Sequence, residues 1–259
     1  MQLEGKTAFI TGASRGLGRA VAEVFSKEGA RCALVARDEG RLEKVAQKLG
    51  PPGRHLVLTV DVSDESAVEA AVQAADDEFG KIDILVHCAA AALIRPLLEM
   101  SAEEWDRIMS INVRGCFLVS RAVVRQMLAR QTPGRLILVS SISGKSGAAG
   151  ISAYAASKFA VIGFVQSLSK ELAARDITVN AVCPGAMDTD MLHRDTVEVL
   201  ARQAGVTPED MLKRYLRALP MKRLLDPVEV AKVMLVLASE EGRCLNGQAL
   251  NIDGGMEMH

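Results

Sequence analysis

The chain has 259 residues, 49% of them hydrophobic, which is enough to bury a large core. Lys and Arg number 31 against 32 Asp and Glu, a balance that gives no reason to expect a nucleic acid or an anionic membrane surface as partner. Four histidines without paired ligand spacing argue against a metal site, and five scattered cysteines, Cys32, Cys88, Cys116, Cys183 and Cys244, read as reduced thiols that mostly fill space.

In chain order, short apolar β-rich runs alternate with longer segments of helical periodicity. The start, "MQLEGKTAFITGAS", lacks a signal-peptide pattern, and no apolar run is long enough to span a bilayer, so a cytoplasmic protein is expected. The first strand, "TAFIT", runs into "TGASRGLG" at 11–18 and then the amphipathic "RAVAEVFSKEG". Gly12, Gly16 and Gly18 permit a tight strand-to-helix turn whose backbone N–H groups can approach a pyrophosphate. The spacing is G-x-x-x-G-x-G, and no Gly-Lys-Ser/Thr follows as a triphosphate loop requires, so a dinucleotide is the expected ligand.

The second strand, "RCALVA", ends with Ala36 at its tip and Arg37 next. Arg37 together with Arg15 suits a 2′-phosphate. Asp38 could pair with Arg37 or serve as N-cap of the next helix; the N-cap reading favours NADP(H), with NAD(H) the alternative. "HLVLTV" and "IDILVH" are the third and fourth strands. His87 and Cys88 are adjacent strand residues and face opposite sides of a sheet, which argues against a redox or metal pair. "SAEE" at 101–104 has the form of a capping box, and "RLILVS" is a fifth strand.

In "SAYAASK", Tyr154 and Lys158 are spaced i, i+4 and share one helix face, so a phenol stands beside an ammonium that stabilises the phenolate, as an acid/base catalyst needs. The sixth strand is "ITVNAV". Residues 188–219 interrupt the alternation and are richer in charge and methionine, which suggests a helical flap over a site. "DPVEV" places Pro227 at the first position of a helix, and "QALNI" is a seventh strand before Gly254-Gly255. The alternation implies a parallel sheet between two helix layers, and with no linker or internal repeat the whole chain, 1–259, reads as one domain.

These residues resemble the short-chain dehydrogenases/reductases across essentially the whole chain, in "TGASRGLG", "DVSD" at 61–64, "INV" at 111–113, "VSSISG" at 139–144, "YAASK" at 154–158 and "PGAMDT" at 184–189. The resemblance implies a doubly wound α/β/α Rossmann fold with a mostly parallel seven-stranded sheet. It also implies a catalytic Asn112, Ser141, Tyr154 and Lys158, with Ser141 preferred to Ser140 because two residues and a glycine follow it. Cofactor contacts are implied for Gly12, Ser14, Arg15, Gly16, Leu17, Gly18, Arg37, Asp61, Val62, Cys88, Ala89, Tyr154, Lys158, Pro184, Met187 and Thr189. Among these, Asp61 and Val62 match positions that hold adenine, and Met187 and Thr189 those near the nicotinamide. In the reduction direction the dinucleotide delivers hydride to a carbonyl carbon, Tyr154 donates its proton to the oxygen and Ser141 hydrogen-bonds it. Lys158 lowers the tyrosine pKa and can hold the nicotinamide ribose, and Asn112 positions a water. Each residue has a duller reading: Ser141 as a strand-end cap, Asn112 as a mend in a helix bend, Asp61 as the start of the following helix.

The family usually reads Asn-Asn-Ala-Gly after the fourth strand, where this chain has His87, Cys88, Ala89 and Ala90. That departure bears on the fine geometry of the cofactor pocket. The substrate wall is expected from Ala91 to Leu97, Ser143 to Ile151 and the flap after Pro184, with Arg95, Lys145 and His193 as polar contacts. A small-molecule carbonyl or alcohol is the expected partner, either a secondary alcohol of polyol or sugar type with its ketone or, as the alternative, the substrate of a 3-oxoacyl carrier-protein reductase. An NADP(H)-binding sensor or scaffold without turnover is the rival from another class. The resemblance further implies a homotetramer, or a homodimer, pairing through the helices after Ser101 and Ser152.

Overall fold

A computed structural model describes residues 1–50 and 54–258. Seven strands form one sheet: β1 (Thr7–Thr11), β2 (Arg31–Ala36), β3 (Leu56–Thr59), β4 (Ile84–His87), β5 (Gly134–Val139), β6 (Ile177–Pro184) and β7 (Ala249–Ile252). Their spatial order is β3-β2-β1-β4-β5-β6-β7, and every pairing is parallel. Parallel neighbours need crossovers, and helices supply them on both faces.

Strand alternation sorts the core into two layers. Phe9, Val35, Leu85, Leu136 and Val179 face α3 (Glu65–Phe79), α5 (Gly115–Arg130) and α6 (Ser152–Leu172). Ile10, Leu34, Val86, Ile137 and Val182 face α1 (Gly16–Lys27), α2 (Glu39–Leu49) and α9 (Pro227–Ala238). Each fully buried Phe or Leu in these layers contributes roughly 1.5–3 kcal/mol by leaving water.

Local sequence sets the helix starts. The Asp38 carboxylate accepts from Arg41 N at 3.0 Å, so Asp38 caps α2 as its sequence position suggests. Ser101 and Glu104 close the expected capping box on α4 (Ala102–Met109), and Asp226 with Glu229 closes another ahead of Pro227. Asp64, not Asp61, caps α3, accepting from Ala67 N at 3.1 Å. Helix α1 begins without a side-chain cap, leaving its first N–H groups to the glycine loop and its ligand.

Two π-helical turns interrupt regular geometry, Ser110–Arg114 between α4 and α5 and Met191–Val197 ahead of α7 (Glu198–Ala204). With α8 (Pro208–Ala218), the second turn and α7 make residues 191–218 largely helical. The sheet order reverses between β1 and β4, and such a switch point opens a crevice at the carboxyl ends of the strands.

Candidate active site

The crevice is a cleft of about 860 Å³ that runs from the carboxyl ends of β1, β2 and β3 to the helical segment after β6. Its floor begins at the glycine loop. Gly12 has φ +68°, and a Cβ there would stand 2.9 Å from Ala89 N, so the loops after β1 and β4 touch through bare backbone. At Gly18 a Cβ would lie 2.3 Å from the Gly12 carbonyl oxygen, so only glycine lets α1 start this close to the loop. A pyrophosphate fits this cradle, because the uncapped end of α1 faces it and no side chain fills it. Thr189 closes over the loop, its Cγ2 3.5 Å from where a Gly16 Cβ would be.

All sixteen positions expected to touch a cofactor line the cleft, including Ser14, Arg15, Leu17, Val62, Cys88, Pro184 and Met187. Arg37 faces Asp61 at 3.8 Å and not Asp38, which caps α2 through Oδ1 and pairs with Arg41 through Oδ2 at 3.2 Å. Asp61 Oδ1 accepts from Ser63 Oγ at 2.7 Å and Ser63 N at 2.9 Å. The Ser63 hydroxyl and amide hold that carboxyl below the usual carboxylate range.

Ser141, Tyr154 and Lys158 share the inner part of the cleft. Ser140 is turned to α6, its hydroxyl donating to the Lys158 carbonyl at 2.8 Å, whereas Ser141 lies in hydrogen-bonding reach of Tyr154 and its Oγ accepts from Ser143 N at 3.1 Å. The i, i+4 spacing puts Lys158 Nζ 5.6 Å from the Tyr154 ring centroid. Nζ donates to the Val139 carbonyl at 2.9 Å, and burial brings its pKa down to about 8. Burial raises the Tyr154 pKa, with Ser141 acting against that and Tyr215 with it.

Asn112 faces away from the open cleft. It is buried behind the cleft wall in the first π-turn, and its side chain is occupied. Oδ1 accepts from Ala91 N at 2.8 Å, while Nδ2 donates to Ala91 O at 2.9 Å and Ser157 Oγ at 2.9 Å. It braces the loop after β4 against α6. The departure at His87–Ala90 leaves that loop anchored too: Thr11 Oγ1 accepts from Ala89 N at 3.2 Å and meets His87 Nδ1 at 3.0 Å. Cys88 packs with the opposite core layer, burial pushing its thiol up to about 12.

The substrate end is lined by Ala92, Leu93, Ile94, Ile151, Leu192 and Leu200, with Ser143, Ser146 and Thr196 beside them. The three polar contacts expected there are engaged elsewhere: Arg95 with Glu104 at 3.0 Å, Lys145 with the Ala249 carbonyl at 2.7 Å, His193 with Asp188 at 2.7 Å. Sequence reasoning missed Arg41, Asp190, Tyr215 and Glu257, all in the lining. Arg41 follows Arg37 by one helical turn, a signal that was available. Tyr215 carries no local signal, yet both tyrosines of the chain meet in this one cleft.

A doubly wound sheet, a glycine cradle at its switch point and a Ser, Tyr and Lys set beside it define an oxidoreductase that works with a nicotinamide dinucleotide. Residues 12–257 match a family model described as enoyl-(acyl carrier protein) reductase. The chain is 39% identical over 258 residues to 3-oxoacyl-(acyl-carrier-protein) reductase FabG of Vibrio harveyi, covering 100% of both. It is 41% identical over 257 residues to oxidoreductase UcpA of Salmonella typhimurium, covering 98% of this chain and 95% of that one. A crystal structure of a variant actinorhodin polyketide ketoreductase with NADPH superposes with a TM-score of 0.94 at 33% identity, covering 100% of this chain and 99% of that one. The chain belongs to the short-chain dehydrogenases/reductases. It is an enzyme of that family, acting between an alcohol and its ketone.

Proposed function

We propose that the protein is an NADP(H)-dependent reductase of 3-oxoacyl thioesters or closely similar apolar ketones. One observation carries this reading: the inner cleft joins Ser141, Tyr154 and Lys158 to a wall in which the alkyl side chains of Ala92, Leu93, Ile94, Ile151, Leu192 and Leu200 predominate beside Ser143, Ser146, Thr196, Tyr215 and Glu257. The predominance of alkyl side chains suits an acyl chain better than a polyol, whose several hydroxyls each need a partner when buried. The FabG relatives of Vibrio harveyi and Vibrio cholerae, 3-oxoacyl-(acyl-carrier-protein) reductases, agree with an acyl substrate.

When bound, the nicotinamide supplies the hydride that the carbonyl carbon receives. The glycine loop and Thr189 would hold the pyrophosphate and its neighbourhood, and Arg15, Arg37 and Arg41 the 2′-phosphate. Ser141 Oγ–H donates to the carbonyl oxygen and orients it. Tyr154 Oη then gives its proton to that oxygen as negative charge develops, and the raised pKa keeps the phenol protonated until that moment. The Lys158 ammonium stabilises the phenolate left behind. Asn112 is a positioning residue that fixes the Ala91 wall against α6.

The reading extends to one domain with residues 188–219 as a flap, to a cytoplasmic location and to a homotetramer. Support for the flap is its place in the lining through Leu192, Leu200 and Tyr215. Among the described residues no helix is long and apolar enough to cross a membrane. Trp105, Phe117 and Phe159 are exposed on α4, α5 and α6, which suits pairing of copies through those helices; sedimentation tests it.

The function is tested by following cofactor absorbance with NADPH and NADH in parallel against an acetoacetyl thioester, a small diketone and a ketose. Turnover of the thioester with NADPH is expected to lead. A ketose reduced as fast, or flat traces despite NADPH binding, would overturn the proposal.

A further inference from the structure

At the mouth of the cleft one carboxylate oxygen sits among three guanidinium groups. Asp190 Oδ2 is 3.8 Å from Arg15 Nη1, 4.0 Å from Arg41 Nη1 and 3.8 Å from Arg194 Nη2. The three arginines come from separate pieces of chain: the glycine loop, the first turn of α2 and the segment after β6. Asp190 makes no capping bond to the turn it precedes, so local helix chemistry does not account for its position. Arg15, Arg41 and Asp190 all line the cleft. At these separations Asp190 faces the guanidiniums without hydrogen-bonding to any of them, and Arg41 also pairs through Nε with Asp38 Oδ2 at 3.2 Å, a partner that stays in place when Asp190 is replaced. The cluster is an anion receptor set slightly too wide for its internal anion, and a phosphate monoester, with three oxygens and nearly two charges, is the better match.

We infer that Asp190 is a specificity-determining residue for the cofactor, competing with the 2′-phosphate for Arg15 and Arg41. This rests on the proposed assignment of those arginines to a 2′-phosphate and goes one step beyond it. A dinucleotide with a 2′-phosphate must displace Asp190 from both guanidiniums, whereas one with a bare 2′-hydroxyl does not engage them. The competition therefore weakens NADP(H) and leaves NAD(H) untouched. Asp190 sets the ratio between the two cofactors without touching either base or ribose.

The experiment is calorimetric titration of the purified full chain and its Asp190→Asn and Asp190→Glu variants with NADPH, NADH and 2′-AMP. Removing an exposed carboxylate that screens two arginines is expected to tighten NADPH and 2′-AMP by about three- to tenfold. NADH should stay within about twofold, and Asp190→Glu, which keeps the charge, within about twofold of wild type for all three ligands. Asp190→Ser replaces Asn should the amide disturb the turn. Equal gains for NADPH and NADH, no change, or weaker NADPH binding would each overturn the inference. A wild-type protein that binds NADH but neither NADPH nor 2′-AMP would instead overturn the cofactor assignment beneath it.

Discussion

Replacing Lys158 by methionine is expected to stabilise the fold while ending turnover. The side chain is 2% exposed, and burial takes its pKa from 10.5 to about 8. At roughly 1.4 kcal/mol per tenfold change in protonation equilibrium, holding that ammonium inside costs about 3 kcal/mol at neutral pH. Methionine of similar length removes this cost but leaves the Val139 carbonyl without its donor, which returns about 1–2 kcal/mol. The net gain is about 1–2 kcal/mol, or a midpoint higher by several degrees at about 2–4 °C per kcal/mol.

The sign of the pH dependence follows from the same numbers. A folded Lys158 gives up its proton near pH 8 and an unfolded one near 10.5, so between these values the unfolded state binds more protons and the wild type gains stability as pH rises. The advantage of the variant should therefore shrink across that window. Burial holds Cys32, Cys88 and Cys116 near 12 from a reference of 9.0, and those thiols destabilise both proteins above pH 9; the difference between the proteins reports Lys158 together with its charge effect on Cys88 and Cys116. Urea unfolding without cofactor at pH 7 and pH 9.5 measures it. A variant less stable than wild type by more than about 1 kcal/mol at pH 7, or a difference that does not narrow with pH, would refute the reasoning.

Tyr154→Phe removes only a hydroxyl beside Ser141 and should lower kcat by about 10²–10⁴-fold with NADPH affinity unchanged; single-turnover traces within about tenfold of wild type would contradict the proton-donor role. Gly18→Ala drives a Cβ to 2.3 Å from the Gly12 carbonyl oxygen, and the resulting overpacking of about 1–3 kcal/mol should weaken dinucleotide binding at least about tenfold, read by calorimetry. His87 is buried and held near pKa 3 from a reference of 6.5, so it stays neutral when folded and stability falls as pH drops below 6.5. His87→Asn should flatten that acid limb by up to roughly 1.4 kcal/mol per pH unit between 6.5 and about 3, checked by chemical unfolding at several pH values.

The order of the seven strands was not written in any one segment, but their existence was. "ITVNAV" and "TAFIT" are unbroken β-rich runs because both their faces are covered, and that leaves a plain pattern. The capping box at Ser101 and the helix start at Pro227 were legible because their signals are local. The cofactor lining was legible for a different reason, since positions such as Gly12 and Ala89 follow strand ends that the doubly wound topology must bring together. What sequence reasoning lost was long-range and electrostatic. Arg95, Lys145 and His193 are polar and near the right loops, but each found a partner only tertiary structure provides. Asn112 carries the expected residue type, and the structure gives its side chain to Ala91 and Ser157. Lys158 sits one turn from Tyr154 as expected, while the Val139 carbonyl that claims its ammonium is distant in sequence.

Asn112 grips Ala91 by its main-chain N–H and C=O, not by its side chain. A brace of that kind is indifferent to which residues follow, so the wall from Ala92 to Ile94 can be rewritten one side chain at a time while Tyr154 and Lys158 keep their places. The fold thereby separates what must stay constant for chemistry from what can drift for selectivity.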